Sequence, residues 1–110
     1  MEQLERRIIQ ALVATEGTTG EVLWSQYDQS SVLRRELTGV GFFTYFAVPD
    51  AAPRLRDSRN PIGRPILIEL EGLQHGASAV LWTKDGVLDR LEVFTFSEPW
   101  PAETDNGRMA

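Results

Sequence analysis

The chain has no cysteine among its 110 residues, and only one histidine. Without a thiol there is no disulfide, no thiolate metal site and no cysteine nucleophile, although the compartment is not decided by that absence. The lone histidine, His75, sits in a turn near Glu69 and Glu71. Zinc sites need at least three protein ligands and characteristic spacings such as helical His-x-x-x-His, so we read His75 as a solvated turn residue and expect no metal. Long apolar runs are missing too. Nothing approaches the roughly 20 residues that span a bilayer. The amino terminus MEQLERRIIQ mixes charges where a secretory signal would run basic and then apolar, so the expectation is a cytoplasmic protein.

Basic charge is also short: 11 Lys and Arg against 16 Asp and Glu leave a net charge of -5. Affinity for nucleic acid comes largely from cations that release phosphate counterions, so a nucleic-acid partner is not expected. Gly39-Val40-Gly41 contains Gly-x-Gly but lacks both the third glycine and the strand-turn-helix setting of a phosphate cradle. Its glycines suit a bulge or tight reversal, and no cofactor is implied. Ser30 and Ser31 have no His and acid partners placed to activate them.

What remains is ordinary globular composition, 42% hydrophobic and 25% charged. At this length it predicts one domain, residues 1–101, with a polar and mobile tail over 102–110. Leu4, Ile8, Ala11 and Leu12, with Ile9 and Val13 beside them, recur at helical spacing and predict a helix from Glu2 to Ala14 that Gly17 ends. Thr18-x-x-Glu21 has the form of a capping box, which predicts a second helix over Thr19 to Gln29 with Leu23 and Tyr27 on its inner face.

From Ser31 onward the residues favour strands: Val32 to Leu37, Phe42 to Val48 and Ile66 to Leu70. Asp85-Gly86 between two β-rich runs then predicts a hairpin over Ala77 to Phe96, since both turn positions need positive φ. Helices followed by strands imply an α+β two-layer sandwich, with two N-terminal helices on one face of an antiparallel sheet of four to five strands.

A regular two-residue hairpin opposes Thr83 to Leu88, Trp82 to Asp89 and Leu81 to Arg90, and opposed residues share a face. On that register Val80, Trp82, Val87, Leu91 and Val93 face the helices. Leu81, Leu88, Arg90, Glu92, Phe94 and Phe96 gather on the other face, too much apolar surface to lie idle in water. They form the candidate binding face. Glu92 among these rings could act as an acid or base, against the plainer reading of an ion pair with Arg90 or with an arginine of the long loop. That loop, Pro49 to Pro65, carries Arg54, Arg56, Arg59 and Arg64, a candidate anion-binding segment whose plain reading is a solvated connection. Trp100 between Pro99 and Pro101 reads as a clasp that lays its indole on the core or a partner.

Taken in order, Gly39-Val40-Gly41-Phe42-Phe43-Thr44, Leu70-Glu71-Gly72-Leu73, His75-Gly76-Ala77, Lys84-Asp85-Gly86, Leu91-Glu92, Phe94-Thr95-Phe96 and Pro99-Trp100-Pro101 resemble a family of small bacterial proteins with no assigned activity. The pattern spans Ser31 to Pro101, with Val93 where the family pattern has Gly and Arg90 where it has an apolar residue. The resemblance implies a compact bacterial domain and no catalytic residue. The expected function is a non-catalytic protein-binding or self-assembly module, whose partner is another protein or a second copy. The alternatives are a small ligand binder or enzyme using Glu92 with Arg90 and the arginine loop, or an immunity-type neutraliser of a bacterial protein.

Overall fold

A computed structural model describes residues 2–56, 60–102, 104 and 107–109. Helix α1 (Glu2–Val13) is followed by α2 (Gly17–Gln29) and by six strands: β1 (Ser31–Leu37), β2 (Gly41–Ala47), β3 (Ile68–Glu69), β4 (Ala77–Lys84), β5 (Val87–Thr95) and β6 (Arg108–Met109). The strands form one sheet in the order β1-β2-β5-β4-β3-β6, with antiparallel neighbours throughout. The fold is the expected α+β sandwich with one more strand than foreseen. The extra strand comes from the segment expected to be a mobile tail: Arg108 and Met109 pair with Glu69 and Ile68, and Gly107 beside them is buried. A Cβ on Gly107 would fall 2.7 Å from side chains of both Leu4 and Leu70, so Gly107 is seated against the core.

Two rows on α1, Leu4-Ile8-Leu12 and Glu5-Ile9-Val13, are buried, as the i, i+4 geometry of a helix face requires. The helix ends as expected, and the chain turns back at Gly17, whose φ of +57° suits glycine. The capping box does not form. The second helix already begins at Gly17, with Glu16 in the N-cap position and no side-chain cap, so Thr18 lies inside the first turn. Close packing explains the early start. A Cβ on Gly20 would stand 2.1 Å from the carbonyl oxygen of Val13, so the start of α2 lies directly against the end of α1.

Leu4, Ile8, Leu12 and Leu23 of the helices close on Phe42, Ala77, Ala79, Leu81, Leu88, Leu91 and Val93 of the sheet. This overturns the expected face assignment: Leu81 and Leu88 are core residues, whereas Val80 and Trp82 point to the other side. The cause is a bulge. Lys84 opposes Val87 and Thr83 opposes Leu88 as expected, but Trp82 then opposes Arg90, leaving Asp89 as an extra residue. Beyond it every opposed pair shifts by one, so Leu81 meets Leu91 and Val80 meets Glu92.

Two side-chain amides hold the chain at this irregularity. Gln26 of α2, fully buried, accepts from the Leu88 amide at 2.7 Å and donates to the carbonyls of Pro53 and Gly86 at 2.8 and 3.0 Å. Asn60 accepts from the Thr83 amide at 2.8 Å and donates to the Thr83 carbonyl at 2.9 Å, imitating a neighbouring strand. Ile62 continues this cover through a bridge to Leu81, its amide donating at 2.8 Å. Asn60 and Ile62 of the long loop are therefore edge cover for β4.

Candidate binding face

With Leu81 and Leu88 in the core, the face turned away from the helices is built mainly from β1, β2, β5 and β4. Opposed pairs fix its members: Arg34 with Tyr45, Glu36 with Phe43, Phe43 with Glu92, Tyr45 with Arg90, and Glu92 with Val80. Of the predicted residues, Arg90, Glu92 and Phe94 lie on it, and Phe96 joins them just past β5. Phe96 is 50% exposed, and its ring meets that of Phe94 edge-on at 6.0 Å. Sequence reasoning missed Phe43, Tyr45, Trp82 and Arg34. The alternation Phe42-Phe43-Thr44-Tyr45-Phe46 carried the signal, since a strand with aromatics on both parities must turn some of them away from the core.

Cations lie over the rings. The Arg34 guanidinium carbon is 3.9 Å from the Tyr45 ring centroid, and that of Arg90 is 4.8 Å from Trp82. Phe43 and Tyr45 stack at 6.1 Å. Arg34 also donates to Glu36 at 3.0 Å, a hydrogen bond that raises the pKa of Arg34. Glu92 does not pair with Arg90. It accepts from the Trp82 indole at 3.2 Å, while Arg90 pairs with Asp89 at 2.8 Å. The bulge explains the exchange, because it places Asp89 beside Arg90 and Trp82 beneath it.

The arginine loop does not gather its described cations into one site. Arg54 and Arg56 line a cleft of about 270 Å³ with Thr18, Thr19 and Val22, and Arg54 lies 3.6 Å from Asp50. Arg64 lines another, of about 500 Å³, with Glu16, Asn60, Pro61 and Gly63. Arg59 lies outside the described residues. A larger groove of about 660 Å³ runs along β3 and β6, lined by Glu69, Glu71, Gln74, His75 and Arg108 among others, and there Arg108 pairs with Glu69 at 3.0 Å. The amides of Gln74 and His75 donate to the Glu98 carboxylate at 2.8 and 3.0 Å and hold its pKa below the usual range. No group of three or more potential metal ligands occurs among the described residues.

One buried ionic group escaped the sequence reading. Glu5, 2% exposed in the helix-sheet core, accepts two hydrogen bonds from Arg35, each at 2.9 Å, and a third from the Thr44 hydroxyl. The bidentate fork raises the pKa of Arg35. All these bonds satisfy the carboxylate internally, so the group ties α1 to β1 and β2 and offers nothing to a ligand. A glutamate in the otherwise apolar row Glu5-Ile9-Val13 was the available sign that a buried partner must exist.

Trp100 is the expected clasp. Its ring meets Phe42 at 5.3 Å with planes at 72°, and its amide donates to the Gly39 carbonyl at 2.9 Å. Gly39-Val40-Gly41 is a tight reversal in which the Thr38 amide donates to the Gly41 carbonyl. Gly41 is required by close approach: a Cβ there would lie 1.9 Å from the Val93 carbonyl oxygen.

The fold and this face define an α+β two-layer sandwich with a partly aromatic, mixed-charge sheet surface on the side away from its helices. Comparison with protein-family models, with curated proteins and with solved structures finds no match. No helix among the described residues is long and apolar enough to cross a membrane.

Proposed function

We propose that the protein is a non-catalytic binding module that engages a protein partner through the sheet face turned away from its helices. The observation that carries this reading is the pairing of aromatic rings with cations on that face, Arg34 over Tyr45 and Arg90 over Trp82, beside the half-exposed Phe96. Aromatic and arginine side chains are the residue types that dominate binding energy at protein interfaces, because they bury large areas while keeping a polar edge. The carboxylates Glu36, Asp89 and Glu92 are interleaved with them. A matched surface of mixed charge is therefore favoured over a uniformly charged ligand.

The alternative that uses Glu92 as an acid or base is less well supported. Glu92 lines none of the three clefts described above, and its carboxylate is engaged by the Trp82 indole. The test is affinity capture with the full chain from its native host, followed by titration of the captured protein in purified form. Phe94→Asp and Phe96→Asp are expected to weaken that complex at least about tenfold, the loss of one interfacial anchor, with thermal unfolding close to that of the parent. Equal affinity of both variants, or failure of every captured protein to bind when purified, would remove the basis for the reading. An immunity-type role would appear as capture of a bacterial toxin whose activity the protein suppresses.

A further inference from the structure

The outer backbone edge of β1 is a different surface from the face just described, although the side chains of Arg34 and Glu36 belong to both. β1 is the terminal strand of the sheet, and no described strand pairs with its outer side. Six of its seven residues are exposed, Leu33 at 62% and Leu37 at 72%. A strand edge with free amides and carbonyls is a template for another strand, and its side chains decide which one.

We propose that β1 pairs antiparallel with β1 of a second copy, in the register that places Arg35 on the twofold axis. The backbone limits the choices. The Thr38 amide donates to the Gly41 carbonyl, and hydrogen-bonding direction alternates along an antiparallel pair, so Glu36 and Arg34 point their backbone groups toward β2. Arg35 and Leu37 then point theirs outward. A twofold pair must oppose residues of the same class, which leaves only registers centred on a residue.

Charge selects among them. Centred on Arg34, the pair opposes two like-charged arginines; centred on Glu36, it opposes two glutamates. Centred on Leu33 it meets the β1 bulge between Val32 and Arg34, and centred on Leu37 it runs off the end of the strand. Centred on Arg35, Arg34 faces the partner's Glu36 and Glu36 faces the partner's Arg34, both within the regular stretch of β1 past the bulge. Each charge is matched across the axis, as an isologous contact requires. Arg35 at the axis already spends its charge on Glu5 in the core, through two bonds of 2.9 Å. The bulge and the charges that guard this edge against indiscriminate pairing thus leave one register open.

Self-association at this edge joins two sheets side by side and leaves the face proposed for the partner uncovered, so the two readings fail independently. Sedimentation equilibrium of the full chain at tens of micromolar is expected to show a reversible dimer. Arg34→Glu alone and Glu36→Arg alone are each expected to raise the dimer dissociation constant about tenfold, since each inverts two cross-strand charge pairs. An equimolar mixture of the two variants restores both pairs between unlike chains and is expected to recover the parent affinity. Both positions are exposed, and circular dichroism of each variant confirms that it folds. A parent chain that stays monomeric, single variants that dimerise like the parent, or a mixture that shows no recovery would overturn the proposal.

Discussion

The two flanks of the central strands β2, β5 and β4 are finished in opposite ways. On the β4 side, Asn60 and Ile62 occupy the backbone groups of Thr83 and Leu81, and β3 and β6 extend the sheet beyond Ala77. On the β1 side a seven-residue strand ends the sheet with its outer backbone groups facing away from the molecule. Chain that could have been a compact connection is spent closing one flank, and among the described residues none is spent on the other. The contrast shows that an irregular segment need not be a ligand loop: Asn60 and Ile62, in a segment read from sequence as a functional candidate, supply strand-like cover without strand-like sequence.

Four substitutions, with Glu5→Gln as the companion of the first, probe that difference in falling order of effect. Arg35→Met cuts the tie between the β1 flank and the helices and leaves Glu5 buried without its counter-ion. A loss of about 3 kcal/mol or more in urea unfolding is expected, and Glu5→Gln should cost less because the Arg35 side chain, 28% exposed, can turn to water. Equal losses would mean that the pair is not anchored by its buried partner. Gln26→Ala strands the buried Leu88 amide at the hairpin tip and takes a donor from the Pro53 and Gly86 carbonyls, the latter keeping the Leu55 amide, and about 2 to 3 kcal/mol is expected by the same measurement. Faster hydrogen exchange at Leu88 and Thr83 should accompany it.

Asn60→Ala opens the closed flank. The Thr83 groups regain access to water, so the cost should be about 1 to 2 kcal/mol, with exchange at Thr83 raised and that of Arg35 unchanged. Leu37→Thr on the open flank should change the stability of the monomer by less than about 0.5 kcal/mol, because the side chain is largely in water already. A large loss there would show that β1 is held more like β4 than its exposure suggests.

A pH titration separates the flanks in another way. Glu98 joins the β3–β4 turn to the end of β5, and its folded pKa lies below the usual carboxylate value. A depressed folded pKa contributes stability that is fully present above the unfolded value and lost as pH falls through the folded one. The stability gap between parent and Glu98→Gln is therefore expected near neutrality and should shrink on acidification through the carboxylate range. A gap independent of pH would show that the charge of Glu98 contributes nothing.

The candidate site was half legible in sequence. Glu92, Arg90, Phe94 and Phe96 were identified from the alternation of β5, and that parity survives because these residues all lie on one side of the bulge. Leu81 and Leu88 were misplaced because the register was carried through Asp89 as though the ladder were regular. Nothing near Asp89 announces an extra residue, since the groups that accommodate it, Gln26 and Asn60, lie 62 residues from Leu88 and 23 from Thr83. The last strand was hidden for a similar reason. Arg108 and Met109 show no alternation of their own and take up extended structure only against β3.

Local features were determined by the sequence alone: the apolar rows of α1, the turn at Asp85-Gly86 with φ of 55° and 77°, and the reversal at Gly39. Each depends on contacts within a few residues, where backbone sterics and helical or strand period suffice. Tertiary structure decided which side of the hairpin meets the helices, that Arg108 and Met109 pair with β3, and that Glu5 finds Arg35. A strand's faces alternate with a period of two, so one residue accommodated by distant amides reverses them all, and no local pattern records that reversal.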